Sequence, residues 1–335
     1  MTTTLPLALL RELQVAAPDT AWASLARHTM DACETNGAGL PAETAARVRD
    51  EALRALDTWL AGAGWDLWCE FGTSIPRTAD RLADWWDAIP ASAGAAVLIL
   101  DGLSLRELPL LRDGAMAHGF AITTAEATAA ELPGDTNAFA KALGVNARNT
   151  LANNHPPATF RLKGAHTEVA NLPWADCATL IKAEPRWVFW HEWPDTRFHD
   201  GGSFQTVAKS VAATFADADF WAFVRRLATG RRLLVTSDHG YAHIGGFQDT
   251  DGDAKNWLRG VFGGGRIAED GELGPWSPPL ALAVEGRHGR VRMPLGRRKW
   301  PVQGGNASLG HGGLTLLEAL SPFIELRLQD HPHAP

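Results

Sequence analysis

Short, uninterrupted apolar runs that end in acidic or imidazole residues constrain the fold of this chain more than any other feature. Residues 95–100 are all apolar, and Asp101 follows them directly. A run of this kind is typical of a strand that is buried on both faces of a sheet. The runs that end at Trp190 and Thr236 have the same character, and helical patterns separate the three. This alternation predicts an α/β fold with a central, mostly parallel sheet flanked by helices.

The first 90 residues lack such runs and carry helical periodicity instead. Residues 44–60 place apolar side chains on one face and charged side chains on the other. Tryptophans enrich this region, and we expect five of them to be buried against the rest of the protein: Trp59, Trp65, Trp68, Trp85 and Trp86. We therefore predict a helical N-terminal extension of about four helices over residues 1–90 and a catalytic domain over residues 91–335.

Further elements follow from the same patterns. Helices are predicted over residues 103–118, 136–143, 203–229 and 312–320. Strands are predicted over residues 120–123, 187–190, 233–236 and 323–326, and residues 280–284 and 290–293 form a predicted hairpin. The segment 245–274 is rich in glycine and aspartate, which predicts a loop.

Composition predicts a cytoplasmic location and argues against one class of partner, duplex DNA. Its 335 residues are 45% hydrophobic, but the apolar runs are too short to cross a bilayer, and no secretory leader is recognisable. Cys33, Cys69 and Cys177 are scattered, which indicates reduced thiols rather than a disulfide framework. The net charge of −7 argues against a dedicated duplex-DNA binder.

One segment is strongly basic despite the acidic balance. It contains His288, Arg290, Arg292, Arg297, Arg298 and Lys299. Such a charge run is commonly a solvated hairpin. The alternative is a positive lip beside an anionic substrate, for which Arg297, Arg298 and Lys299 are the candidate residues.

Candidate metal ligands lie where the predicted strands end. They are Asp101, Asp195, His199, Asp238, His239 and, before the last helix, His311. Parallel strands end at one rim of a sheet, so these side chains can converge there. Carboxylates and imidazoles without thiolates suit Zn²⁺ or Mn²⁺. Two such ions about 3.5–4 Å apart are a common device for phosphoryl transfer. Each of these residues, considered alone, could instead have a purely structural role as a turn former or helix cap.

A nucleophile is also required, and Thr136 is the candidate. It follows Pro133-Gly134-Asp135 at the start of a predicted helix, where a hydroxyl next to a metal would be activated. The competing interpretation is that Asp135 or Thr136 is simply the N-cap of that helix.

The order of these motifs resembles the alkaline-phosphatase superfamily. The segments that carry the resemblance are 97–103, 132–136, 193–199, 236–240 and 311–313. Within that superfamily, the ending Gly310-His311-Gly312-Gly313-Leu314-Thr315 is most similar to PglZ domains of phage-defence systems. The resemblance covers about residues 95–328 and leaves the first 90 residues unexplained.

The resemblance implies a ligand set and a reaction. Asp195, His199 and His311 would hold one divalent metal, and Asp101, Thr136, Asp238 and His239 the other. Thr136 would attack phosphorus, and water would then hydrolyse the phosphothreonine. The implied substrates are phosphodiesters, such as nucleotides or single-stranded oligonucleotides. The alternatives are a phosphomonoesterase and a non-catalytic adaptor within a multiprotein defence complex.

Overall fold

The computed structural model is built around a six-stranded sheet with the order β2-β13-β5-β1-β4-β3. The structure describes residues 5–199, 201–244, 246–247, 252–263, 265–270, 281–299 and 309–329. The strands are β1 (Ala95–Leu100), β2 (Phe120–Ala129), β3 (His166–Ala170), β4 (Arg186–His191), β5 (Arg232–Thr236) and β13 (Leu320–Leu328). β1 pairs in parallel with β4 and β5, whereas β13 runs antiparallel to β2 and β5. The predicted α/β fold with a mostly parallel central sheet is confirmed.

Helices pack on both faces of this sheet. The helices that follow β1 in the chain are α6 (Leu108–Ala117), α7 (Thr136–Ala142), α8 (Trp174–Leu180), α9 (Asp195–His199), α10 (Phe204–Ala216), α11 (Ala218–Ala228), α12 (Gly252–Phe262) and α13 (Leu316–Ala319), with 3₁₀ turns at Leu105–Glu107 and Arg148–Asn154. Of these, α12 packs in a small cluster of its own. Alternate side chains of β1 enter different cores: Leu98 and Leu100 lie in one, Val97 and Ile99 in the other. Burial on both faces explains the uninterrupted apolar runs of the sequence.

Several predicted elements differ in the structure. The single helix expected over residues 203–229 is divided at Asp217, which adopts an extended backbone conformation and caps α11 by accepting a hydrogen bond from Asp219 N at 3.0 Å. The predicted loop over 245–274 contains α12, which buries Leu258 and Phe262. In both places side-chain packing and capping outweigh the local composition. Residues 245, 248–251, 264 and 271–274 of that prediction lie outside the described part of the chain.

Short strands complete the C-terminal half. β9 (Ala281–Gly286) and β10 (Gly289–Pro294) form the predicted antiparallel hairpin, although Leu280 lies outside the described residues. The others are β6 (Ala242–His243), β7 (Gly246–Phe247), β8 (Ala268–Glu269), β11 (Arg298–Lys299) and β12 (Leu309–Gly310). The predicted helix over 312–320 is reduced to α13, because Thr315 has an extended backbone and caps the helix, and β13 begins at Leu320.

From residue 5, where the described part of the chain begins, to residue 90, the N-terminal region contains five helices: α1 (Leu7–Leu13), α2 (Pro18–Thr35), α3 (Ala42–Ala63), α4 (Trp65–Ser74) and α5 (Thr78–Asp87). Trp22, Trp68 and Phe71 pack with ring centroids 4.7 to 5.6 Å apart. Their core continues into residues of the C-terminal half, including Met293 and Leu316. The domain boundary near residue 90 stays a prediction, and a shared core lies across it. Among the described helices, none combines the length and apolarity that a membrane span requires.

Candidate functional site

The C-terminal ends of three neighbouring parallel strands bring together residues that are distant in sequence. Asp101 directly follows β1, Asp238 and His239 follow β5, and Asp195 begins α9 just after β4. Because β1 lies between β4 and β5, these side chains meet at one rim. Thr136 reaches the same rim from the start of α7.

The first cluster contains two carboxylates, a hydroxyl and an imidazole. Thr136 Oγ1 lies 3.2 Å from Asp101 Oδ1 and 2.9 Å from Asp238 Oδ2. His239 Nε2 lies 3.7 Å from Asp101 Oδ1 and 3.5 Å from Asp238 Oδ2. Asp101, Asp238 and His239 are fully buried and can offer three ligand atoms within 4.8 Å of one another.

A second cluster adjoins the first and shares His239. His311 Nε2 lies 3.8 Å from Asp195 Oδ1, and the rings of His239 and His311 stack with centroids 4.3 Å apart. Asp195, His239 and His311 also offer ligand atoms within 4.8 Å of one another. Two adjacent groups of oxygen and nitrogen donors therefore lie at this rim, although their roles as metal ligands stay predictions.

Backbone carbonyls fix the orientation of both imidazoles. His239 Nδ1 lies 3.1 Å from Gly240 O, and His311 Nδ1 lies 3.1 Å from Gly134 O. A carbonyl oxygen only accepts, so each Nδ1 donates, and a neutral ring then presents its lone pair on Nε2. Nε2 of His239 is buried and has no hydrogen-bond partner within the described segments. Metal-binding histidines have this arrangement, in which the second nitrogen donates to a carbonyl or carboxylate. The residues present thus fit a divalent cation.

The negative charge of the first cluster also favours a bound cation. Burial, and then the charge of Asp238, raise the pKa of the Asp101 carboxyl well above its usual range. Burial alone would lower the pKa of the His239 imidazole, but Asp238, Asp101 and Asp195 outweigh it and raise that pKa to about 9. Buried carboxylates this close require positive charge beside them.

Gly102 allows the strand ends to approach one another. Its φ is +73°, and a Cβ there would lie 3.3 Å from Asp195 Cβ and 3.4 Å from His239 Cε1. Its N–H donates to Asp238 Oδ1 at 2.9 Å. A side chain at this position would be strained by the backbone conformation and would separate the two clusters. The glycine after Asp101 is therefore a requirement of the site itself.

The loop that carries His311 is fixed by a buried ion pair. The Glu318 carboxylate is fully buried, pairs with Arg266, and accepts from Thr315 Oγ1 at 2.7 Å and Gly313 N at 3.2 Å. Arg266 Nη1 also donates to His311 O at 2.8 Å. These contacts set the position of the His311 backbone.

Sequence reasoning missed Arg148, whose guanidinium lies at the first cluster. Its Nη1 contacts Asp101 Oδ2, and its Nη2 lies 3.1 Å from Glu192 Oε1. Trp190 Nε1 also approaches Asp101 Oδ2, at 3.3 Å. Arg148 lies in a 3₁₀ turn that has no periodic pattern, so the sequence contained no signal for it.

The structure places the predicted substrate-binding residue Arg297 away from the clusters. Arg297, expected at an exposed lip, is buried, and its guanidinium pairs with Asp50 and Asp57 on α3. A buried guanidinium held by two carboxylates has no free face for a substrate, so this expectation is corrected. Arg298 is half-buried. The side chains of Lys299 and of the predicted ligand His199 lie outside what the structure describes.

A cavity of about 550 Å³ lies beside the Thr136 loop. Both sequence neighbours of Thr136, Asp135 and Asn137, line it, and residues of the β9–β10 turn form the facing wall. This volume is in the range of small-molecule sites.

Comparison with known proteins yields weak similarity. No protein-family profile matches the sequence, and no curated protein matches it. Among solved structures, the chain is similar to murine ectonucleotide pyrophosphatase/phosphodiesterase 5, with a TM-score of 0.48, 12% identity, and coverage of 70% of this chain and 88% of that one. An inactive variant of that protein in complex with AMP gives the same values. The human counterpart gives a TM-score of 0.45, 10% identity, and coverage of 70% and 87%.

Proposed function

We propose that this protein is a metal-dependent phosphoesterase of the alkaline-phosphatase type that uses Thr136 as its nucleophile. One observation carries the proposal: Thr136 Oγ1 lies within hydrogen-bonding distance of two fully buried carboxylates, Asp101 and Asp238. Next to them, the imidazoles of His239 and His311 present Nε2. A threonine that only capped α7 would not require buried carboxylates and imidazoles beside its hydroxyl.

Two divalent cations, Zn²⁺ or Mn²⁺, fit these donors. Asp101, Asp238, His239 and the Thr136 hydroxyl would hold one, and Asp195 and His311 would hold the other together with the predicted ligand His199. When bound, such ions lower the pKa of a coordinated hydroxyl and neutralise charge on the phosphoryl group.

The protein's own side chains then position the reaction. The Thr136 hydroxyl donates a hydrogen bond to Asp238 Oδ2, which holds Oγ1 in place and takes up its proton as Oγ1 attacks. Attack forms the Oγ1–phosphorus bond as the bond to the leaving alcohol breaks, and water subsequently cleaves the phosphothreonine. Arg148, held by Glu192, lies where its remaining donors can contact a phosphoryl oxygen.

The environment favours phosphodiesters over phosphomonoesters. A monoester carries an additional negative charge, and the basic segment was the expected source of extra cations. Arg290 and Arg292 instead pair with Asp270, and Arg297 is buried against Asp50. The cavity beside Asp135 offers room for the alcohol part of a diester. Nucleotides and single-stranded oligonucleotides are therefore the proposed substrates. Assignment to the PglZ branch, a place in phage defence and a cytoplasmic location rest on the sequence alone.

Elemental analysis combined with an ester-hydrolysis assay tests the function. We expect the purified protein to bind close to two equivalents of Zn²⁺ or Mn²⁺ and to hydrolyse bis-p-nitrophenyl phosphate faster than p-nitrophenyl phosphate. A faster monoester reaction would overturn the diester assignment alone. A folded protein that binds metal but hydrolyses neither compound would support the adaptor, and absence of metal binding would reject the proposed centre.

Replacing Arg148 by glutamine tests its contact with the phosphoryl group. Loss of one preorganised donor typically costs about a hundredfold in turnover, so we expect kcat/KM for bis-p-nitrophenyl phosphate to fall by roughly that factor. Arg161→Gln is the matched control, because Arg161 pairs with Asp80 at a similarly accessible site. Equal activity of the two variants would remove Arg148 from the reaction.

A further inference from the structure

Helix α3, which belongs to the region that the family resemblance leaves unexplained, buries two carboxylates. Asp50 and Asp57 are each 1% exposed. They lie two helical turns apart and therefore on the same face. That face is turned towards the segments that follow the proposed metal ligands.

Asp50 fixes two of these segments. Its carboxylate contacts Arg106 Nη1 and Arg297 Nη1, and Oδ2 accepts from His243 N at 3.1 Å. His243 is four residues beyond His239, and Arg106 is five beyond Asp101. One carboxylate on α3 thus joins the continuations of β1 and β5.

Asp57 fixes the third segment. Its Oδ1 accepts from Leu316 N at 2.9 Å, and its Oδ2 accepts from Arg297 Nε at 2.7 Å. Leu316 is five residues beyond His311 and begins α13. Arg297 bridges the two carboxylates and also donates Nη2 to the Asp50 carbonyl at 2.9 Å.

Arg106 extends the same network towards His239. It pairs with Glu107 at 3.1 Å, and its guanidinium lies 4.2 Å from the ring centroid of Tyr241. The Tyr241 hydroxyl donates to Glu107 Oε1 at 2.7 Å. Tyr241 is two residues beyond His239, and its side chain is 1% exposed. Each of the three buried carboxylates pairs with Arg106 or Arg297, and charges at this depth require such partners.

We propose that Asp50 and Asp57 are positioning residues, through which α3 fixes the three segments carrying Asp101, Asp238–His239 and His311. This inference rests on the proposed metal-dependent function. It makes the N-terminal helices part of the reaction centre rather than a separate partner-binding module. Its physical basis is that both carboxylates accept from backbone N–H groups of the ligand-bearing segments and so fix main-chain positions directly.

Asp57→Asn is the primary variant. It retains the shape of the side chain but can replace the carboxylate oxygen that accepts from Arg297 Nε by an amide nitrogen, which donates. Loss of an outer contact that orients metal ligands typically lowers metal affinity by roughly tenfold to a hundredfold. We expect Asp57→Asn to show this fall in metal affinity in a calorimetric titration with Mn²⁺. We also expect a lower kcat and an unchanged KM for bis-p-nitrophenyl phosphate.

Glu325→Gln is the matched control. Glu325 is a buried carboxylate that accepts from Arg232 at 2.7 and 2.9 Å, but Arg232 lies at the opposite end of β5 from Asp238. We expect this variant to lower the melting temperature while metal affinity and kcat stay at the wild-type values. If Asp57→Asn behaves in the same way, the positioning role is rejected.

The double variant Asp57→Leu/Arg297→Met separates positioning from folding. Replacing a buried ion pair by apolar side chains commonly preserves stability. We expect the double variant to remain folded, with some loss of stability from the buried Leu316 N–H that has lost its acceptor, and its metal affinity to fall at least about tenfold. Wild-type affinity in a stable double variant would overturn the inference. Failure of the wild-type protein itself to bind metal would instead reject the proposed function.

Discussion

Thr136→Ala should lower kcat for diester hydrolysis by roughly three orders of magnitude or more, because removal of a nucleophile eliminates the covalent route. The fold should persist. Asp135, not Thr136, is the N-cap of α7, since Asp135 Oδ1 accepts from Ala138 N at 2.7 Å. Alanine at 136 therefore removes the hydroxyl that points at Asp238 and leaves the cap in place. Steady-state kinetics and thermal melting measure the two effects separately.

Two further variants make this experiment decisive. Thr136→Ser keeps a hydroxyl and should retain a substantial fraction of the activity. Asp135→Ala removes the cap and should lower the free energy of unfolding by about 1 kcal/mol while the nucleophile remains. Near-normal turnover in Thr136→Ala would show that the hydroxyl does not act as the nucleophile.

The sheet and much of the candidate site could be predicted from the sequence because strand ends are local features with a shared geometry. An apolar run of six residues indicates a doubly buried strand, and parallel strands place Asp101 and Asp238 at the same rim. The hairpin of β9 and β10 was predictable from alternation and turn residues. Each of these inferences needs only neighbouring residues and one rule about sheets.

Contacts between distant segments could not be predicted in this way. Arg297 belonged to an apparent surface cluster, yet α3 supplies the carboxylates that bury it, some 240 residues earlier in the chain. Arg148 meets Asp101 from an irregular turn. A charged side chain far from periodic structure has many possible partners, and only the tertiary fold selects one. The break at Asp217 differs from these contacts, because it could have been predicted from the sequence. An Asp inside a predicted helix can cap a new helix, as Asp217 does, but the continuous helical periodicity around it favoured a single helix.

Asp238→Asn should reduce the effect of metal on stability without weakening the metal-free fold. The amide oxygen of the introduced asparagine can still accept from Gly102 N and His239 N, as Asp238 Oδ1 does at 2.9 and 3.0 Å. The substitution removes one of two fully buried carboxylates that share the Thr136 hydroxyl. In chelator, we therefore expect the variant to melt close to the wild-type temperature, because relief of the repulsion with Asp101 offsets the lost attraction to the protonated His239 ring.

Addition of metal should then distinguish the two proteins. A ligand at a hundred times its Kd stabilises a folded protein by about 2.7 kcal/mol, so the wild-type melting temperature should rise clearly with Zn²⁺ or Mn²⁺. Asp238→Asn should show a smaller rise, since a charged ligand at the first cluster has been lost while the second cluster keeps its donors. Asp113→Asn, on an exposed carboxylate that pairs only with Arg112 at 3.4 Å among the described contacts, should respond like the wild type. An equal metal-induced rise in Asp238→Asn would reject Asp238 as a metal ligand and the first cluster as an ion site.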